Sequence, residues 1–167
     1  MEVSETTGLR DSNNPLDVIE ALLAENEWAY ERPAEDELTA IIQGHWCTHH
    51  LSFTWHDQLE AMHLACTFDV KVPKEKRNEV AILLTLINEQ LWCGHFDMWS
   101  DDGMLIFRHG ILLHGQAELT AEQAQALFEL PIDASERYYP AFQFVLWGGK
   151  SAVDAMTSAM LDTAGEA

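Results

Sequence analysis

The stretch that decides the fold is residues 46–70, WCTHHLSFTWHDQLEAMHLACTFDV. It contains two runs in which apolar and polar side chains alternate, a pattern typical of strands that are buried on one face. Leu51 and Phe53 lie on the apolar face of the first run, and Met62 and Leu64 lie on that of the second. A two-residue turn between the runs would pair Phe53 with Met62 and Leu51 with Leu64. The stretch therefore predicts an antiparallel hairpin with one buried face.

Helices are predicted on both sides of this hairpin. Asn14 can cap a first helix in which Pro15 takes the first position, where a missing N–H costs nothing. A second helix begins at Pro73 and continues to about Trp92, because apolar residues recur there at helical spacing. Further strands are expected from Trp28 onward, since aromatic and β-branched residues are frequent between short polar breaks.

A second hairpin is predicted around the dipeptide Asp-Gly at 102–103, which is a strong two-residue turn signal. Counting outward from that turn pairs Trp99 with Ile106 and Asp97 with Arg108. The first pair lies on the face opposite the predicted core, where it would form an apolar patch. The second pair would form a cross-strand salt bridge.

The C-terminal part is predicted to be helical. Thr120 and Gln123 form a capping box for a short helix that Pro131 would end. A final helix would begin near Asp133 and bend at Pro140. Because no linker divides these predicted helices and strands, we expect a single α+β domain over residues 14–162, in which an antiparallel sheet packs against helices.

Charge and composition narrow the class of protein. The 167 residues contain nine Lys and Arg against 28 Asp and Glu, giving a formal net charge of −19. Such a surface repels nucleic acid and anionic membranes, so neither is expected as a partner. The N-terminal residues 1–13 are expected to be a flexible acidic leader and residues 163–167 a tail. The leader is not a secretory signal, and three widely spaced cysteines suit a reducing compartment, so a cytoplasmic location is predicted.

Residues with nucleophilic or metal-binding side chains form no recognisable motif. Cys93 and Cys47 are candidate nucleophiles only if a base lies beside them in space. Of the eight histidines, His50 and His63 share the polar face of the first hairpin and are the candidate metal ligands, although a third ligand is missing there. We therefore predict no catalytic residues and no cofactor.

Aromatic and apolar residues outside the predicted core favour an interface. Trp99 and Ile106 share one face of the second hairpin, while Phe144 and Trp147 lie outside the buried stripe of the last helix. Apolar patches of this kind commonly mark contacts between proteins. A homodimer formed through the sheet or through the last helix is the predicted assembly.

Several short phrases together resemble the YbjN domain family. They are NPLD at 14–17, GHFD at 94–97, FRH at 107–109, ERYYPAF at 136–142 and WGGKS at 147–151. The resemblance implies a fold similar to type III secretion chaperones, in the order α-βββ-α-ββ-α(α). It also implies a role in bacterial sensory transduction, a label that names a pathway and no mechanism.

The function predicted on this basis is that of a non-enzymatic protein-binding regulator or chaperone-like protein of a bacterial regulatory or stress pathway. The secretion chaperones of similar fold are small acidic homodimers that bind extended segments of partner proteins, through an exposed sheet edge or an apolar groove. The alternative is a metal- or small-ligand-binding domain that uses the histidine-bearing face of the sheet.

Overall fold

An antiparallel sheet forms one layer of the fold and helices form the other. The fold is given by a computed structural model that describes residues 14–164; the predicted leader, residues 1–13, and the end of the predicted tail, residues 165–167, lie outside the described residues. The strands are β1 Ala29–Ala34, β2 Glu37–Gln43, β3 Thr48–His56, β4 Ala61–Lys71, β5 His95–Met98 and β6 Met104–Leu112. The helices are α1 Pro15–Glu25, α2 Arg77–Asn88, α3 Ala121–Leu146 and α4 Ala152–Ala164.

The six strands are ordered β1-β2-β3-β4-β6-β5, and each neighbouring pair is antiparallel. The predicted α+β class is therefore confirmed. Four strands precede α2, however, where three were predicted. Residues 29–43 form two strands, because a tight turn after Ala34 pairs Ala34 of β1 with Glu37 of β2.

Burial alternates along β3 and β4 as the sequence predicts. Leu51, Phe53, Met62 and Leu64 are all buried on the inner face, which packs against the helices. The residues between them are partly exposed on the opposite side, called here the outer face.

The predicted register of the β3–β4 hairpin is wrong by two residues. Phe53 pairs with Leu64 and Leu51 with Cys66, because residues 57–60 form the connection instead of two residues. A 3-10 turn over Asp57–Leu59 is followed by Glu60 in the left-handed conformation, with φ of 46°. The extra two residues leave the buried face unchanged, since side chains alternate with a period of two.

The β5–β6 hairpin is shifted in the same way. Asp97 pairs with Ile106, and the Trp99 N–H donates to the Met104 carbonyl at 2.9 Å, so the connecting loop is longer than the predicted dipeptide. The predicted pairings of Trp99 with Ile106 and of Asp97 with Arg108 are therefore wrong. The Asp97–Arg108 salt bridge nevertheless forms across the diagonal, with Nη1 3.2 Å from Oδ2.

The capping box at the start of α3 is confirmed, but Pro131 does not end the helix. The Thr120 hydroxyl accepts from the Gln123 N–H, the Gln123 side chain accepts from the Thr120 N–H, and α3 then continues to Leu146. No separate helix begins near Asp133. A proline inside a helix costs about 3 kcal/mol, and α3 buries a stripe of ten residues on both sides of Pro131, which offsets that cost.

The core is centred on aromatic rings that join three strands to α3. Phe96 of β5 is fully buried, and its ring centroid lies 5.2 Å from that of Phe107 and 5.6 Å from that of Phe142. Phe68 and Tyr138 contact the same ring at 6.1 and 6.2 Å. Most of these contacts are edge-on, the geometry that aromatic quadrupoles favour.

Candidate functional site: a Cys-His-Glu cluster below the β2–β3 turn

A tight turn joins β2 to β3 and rests directly on α3. The Gly44 N–H donates to the Cys47 carbonyl at 2.9 Å, which closes the turn. A Cβ atom on Gly44 would lie 1.9 Å from Oε1 of Glu136 and 2.4 Å from Nε2 of His49. Only glycine therefore allows this close approach.

A buried histidine and a helix carboxylate meet below the turn. His49 is fully buried, and its Nε2 lies 2.7 Å from Oε1 of Glu136, which projects from the middle of α3. The Trp46 N–H donates to Oε2 of the same carboxylate at 3.0 Å. Among the described residues, Glu136 forms no ion pair with Lys or Arg. The His49 ring and the Trp46 N–H are thus the groups that contact this partly buried carboxylate.

Two thiols flank the same imidazole ring on opposite sides. Cys47 Sγ lies 3.9 Å from His49 Nε2, and Cys66 Sγ lies 3.9 Å from His49 Nδ1. Burial, with the charges of Glu136 and Asp69, raises the pKa of the Cys47 thiol to about 11. Burial raises the pKa of the Cys66 thiol to about 12. Both thiols are therefore protonated at neutral pH.

The cluster does not have the geometry of a cysteine hydrolase. In a catalytic triad, the carboxylate holds one imidazole nitrogen and the nucleophile contacts the other. Cys47 and Glu136 share Nε2, whereas the thiol at Nδ1 is that of Cys66, which is fully buried. The remaining thiol, Cys93, is exposed, and its neighbour His95 bonds Asp97 at 3.0 Å. The geometry thus gives no support to a thiol nucleophile.

Thiol alkylation should follow exposure and pKa. At pH 8 and in the presence of a chelator, we expect iodoacetamide to modify Cys93 first, since it is exposed. A thiol with a pKa of about 11 is thiolate in only about one molecule in 1,000 at pH 8. The rate at Cys47 should therefore rise about tenfold per pH unit up to pH 10. Mass spectrometry of peptides after timed quenching measures both rates; a pH-independent rate at Cys47 would contradict the raised pKa.

The candidate metal ligands His50 and His63 are not brought together. His50 pairs with Thr67 and His63 with Thr54, which separates the two by four residues along the sheet, roughly 13 Å. His50 Nε2 lies 3.6 Å from Asp69 Oδ2, while His63 accepts from Nε of Arg108 at 3.2 Å. Burial and the Arg108 charge lower the pKa of His63.

The candidate interface residues differ in their exposure to solvent. Trp99 is 56% exposed and Trp147 is 69% exposed, so both remain available to a partner. Phe144 is half-buried, and Lys150 Nζ lies 4.6 Å from the centre of its ring. The prediction for Ile106 is wrong, because its side chain is only 4% exposed and cannot contribute to a bare apolar patch. It lies between Thr67 of β4 and Asp97 of β5.

The outer face of the sheet has little charge. Its central positions on β2, β3 and β4 are occupied by Thr39, Ile41, His50, Ser52, Thr54, His63, Ala65 and Thr67. None of these is acidic, although the chain carries 28 Asp and Glu residues. Glu31, Glu37 and Asp69 stand at the rim, as does Asp97 of β5. The centre of the outer face therefore lacks the carboxylates that surround it.

Both edges of the sheet are protected against pairing with another strand. At one edge, β1 contains Pro33, which cannot donate, and its register with β2 shifts between Glu31 and Ala34. At the other edge, β5 has four residues, and the Asn88 side chain bonds the backbone of Phe96 at both its N–H and its carbonyl, at 2.8 and 3.0 Å. The predicted option of binding through a sheet edge is thus disfavoured.

The fold and its sites define a small α+β protein with an open sheet face and a buried polar cluster. A family model described as "YbjN: Putative bacterial sensory transduction regulator" matches residues 15–144. The chain belongs to the YbjN family, as the sequence phrases indicated.

Two solved structures are similar to the chain. One is "Crystal structure of YbjN, a putative transcription regulator from E. coli", with 13% identity, a TM-score of 0.49, and coverage of 74% of this chain and 93% of that one. The other is "Crystal Structure of the ExsC-ExsE Complex", with 15% identity, a TM-score of 0.48, and coverage of 73% and 88%. No curated protein sequence matches the chain. Within residues 14–164, none of the helices is long and apolar enough to cross a membrane.

Proposed function

We propose that the chain is a non-enzymatic protein-binding regulator that works as a cytoplasmic homodimer in a bacterial regulatory or stress pathway. The observation that carries this proposal is the outer face, a sheet surface without central carboxylates on a chain of net charge −19. The family description, a sensory transduction regulator, supports a regulatory role.

Self-association through the outer face follows from electrostatics. Two identical acidic chains repel each other, and like charges brought together across an interface cost several kcal/mol. The central positions of the outer face add no carboxylate to this cost. Ile41, which is exposed near its middle, and Trp99 at its β5 end add apolar area to the contact.

A separate apolar surface is available for a partner protein. It comprises Trp147, which follows α3, and Val153 and Leu161 on the exposed side of α4. Exposed large apolar side chains commonly mark a binding site. Because the chain is strongly acidic, we expect the partner segment to be apolar with basic flanks.

The homodimer can be tested by adding charge to the outer face. We expect the double variant Ser52→Glu, Thr67→Glu to raise the dimer dissociation constant by at least about 100-fold, since four carboxylates would face each other across the interface. Light scattering coupled to size exclusion measures this as a change in molar mass from dimer to monomer.

The matched control adds the same two charges elsewhere. Ala81→Glu with Gln90→Glu places them on exposed positions of α2 and the turn after it, where the dimer should be unaffected. Wild-type protein that stays at the monomer mass of 18.9 kDa at all accessible concentrations would exclude the homodimer. Affinity capture with Trp147→Ser tests the partner surface, and Trp92→Ser, at another fully exposed tryptophan, is its control.

A further inference from the structure

We propose that Cys47, His49 and Glu136 are three ligands of a zinc ion, with water in the fourth position. One ligand atom from each, Sγ of Cys47, Nε2 of His49 and a carboxylate oxygen of Glu136, lie within 4.8 Å of one another. Cys47 immediately precedes β3, His49 is its second residue, and Glu136 comes from α3. This site is distinct from the outer face and from the apolar surface proposed for a partner.

The spacing of the atoms is close to that of a tetrahedral site. Zinc–ligand bonds of about 2.0 to 2.3 Å place neighbouring ligand atoms about 3.4 to 3.6 Å apart. The observed Sγ–Nε2 distance is 3.9 Å and the observed Nε2–Oε1 distance is 2.7 Å. The third distance, between Sγ and the Glu136 oxygen, is within 4.8 Å. Binding therefore requires the Glu136 carboxylate oxygen to move away from Nε2 by roughly 0.7 Å and to stand about 3.5 Å from Sγ, and rotation of the Glu136 side chain is the movement that would do so.

The chemistry of the ligands selects zinc among common cations. Magnesium and calcium bind oxygen ligands, whereas a set of one thiolate, one imidazole and one carboxylate suits a borderline-soft ion. The lack of a Lys or Arg partner for Glu136 among the described residues also fits, because a divalent cation would balance its charge. Three protein ligands and a water are a familiar zinc arrangement.

The surroundings hold the ligands in place. The Trp46 N–H bonds Oε2 of Glu136 and leaves Oε1 facing His49. Cys66 Sγ lies beside Nδ1 of His49 and can accept a hydrogen bond from the Nδ1–H when Nε2 binds the ion. Supporting hydrogen bonds of this kind orient metal ligands in proteins. Gly44 has no side chain to fill the space next to the ligand atoms, where its Cβ would otherwise stand.

Titration of the reduced, chelator-treated full chain with Co²⁺, as a spectroscopic substitute for zinc, tests the proposal. We expect one equivalent to bind, with the near-ultraviolet charge-transfer band of a thiolate–cobalt bond, and Zn²⁺ to displace it. Cys47→Ser should abolish the band. Glu136→Gln should weaken binding at least about 10- to 100-fold, the loss already seen when only a supporting residue is removed.

Matched controls separate this site from other donors. Cys93→Ser removes an exposed thiol, and His50→Gln removes the histidine next to His49 on the other side of the strand; neither should change the affinity. Circular dichroism must show that each variant is folded. Absence of a thiolate band in the wild-type protein, or a band that survives Cys47→Ser in a folded variant, would overturn the proposal.

Discussion

Phe96→Ala is expected to lower the free energy of unfolding by about 3–5 kcal/mol, the usual cost of removing a buried phenylalanine ring. The ring is fully buried and contacts those of Phe68, Phe107, Tyr138 and Phe142. Edge-on ring pairs add about 0.5–1.5 kcal/mol each to the value of burial. Since the free energy of unfolding of a native domain is only about 5–15 kcal/mol, the variant loses a large part of its stability.

Urea unfolding followed by circular dichroism measures this loss. Trp92→Ala is the control, because Trp92 is fully exposed and its removal should change stability by less than about 0.5 kcal/mol. Phe96→Leu should fall between the two, since it keeps part of the buried volume. A loss below about 1 kcal/mol for Phe96→Ala would mean that the ring is not packed as described.

Gly44→Ala is the second substitution with a large expected effect, a loss of about 2–4 kcal/mol. The new Cβ would overlap Oε1 of Glu136 and Nε2 of His49. His49 is buried within the sheet and cannot move, so the flexible Glu136 carboxylate must leave. Losing the partner of a buried polar group costs about 1–3 kcal/mol, and overpacking adds a similar amount. Alanine also lowers the conformational entropy of the unfolded chain, which offsets the loss of stability by about 0.4–1 kcal/mol.

The mechanism can be separated from general damage by a double-mutant cycle, measured by urea unfolding in the presence of a chelator. If Gly44→Ala acts by displacing Glu136, then adding Glu136→Ala to it should cost much less than Glu136→Ala costs alone. Gly110→Ala is the matched control, because its Cβ would meet nothing closer than the Met62 carbonyl at 4.0 Å. Additive losses in the cycle would contradict the proposed displacement.

The fold was largely predictable where burial follows a local period. The inner faces of β3 and β4 and the caps of α1 and α3 were predicted from residues near one another in the sequence. The register of the β3–β4 hairpin was not predictable in this way. Glu60 takes a left-handed conformation there, and the sequence Asp-Gln-Leu-Glu carries no glycine or asparagine to indicate it. The continuity of α3 through Pro131 was missed because it depends on packing against the sheet.

The Cys-His-Glu cluster was only half visible in the sequence. Alternation places Cys47 and His49 on the apolar face of β3, and a histidine on such a face needs a buried partner. That signal could have directed a search for a carboxylate. Glu136 is 87 residues away from His49, however, and no local pattern specifies which turn of α3 meets the β2–β3 turn. The contact is a property of the packed layers.

Two prolines within α3 interrupt its backbone hydrogen bonding and divide it into three segments. Pro131 and Pro140 cannot donate backbone hydrogen bonds, so the carbonyls of Leu127 and Glu136 have no helical partner. The turns between them, which include Glu136, therefore lack two of the backbone hydrogen bonds that a regular helix has. Local opening of α3 is expected in this middle segment, where it would carry the Glu136 backbone away from the β2–β3 turn while the capped N-terminal turns of α3 stay in place.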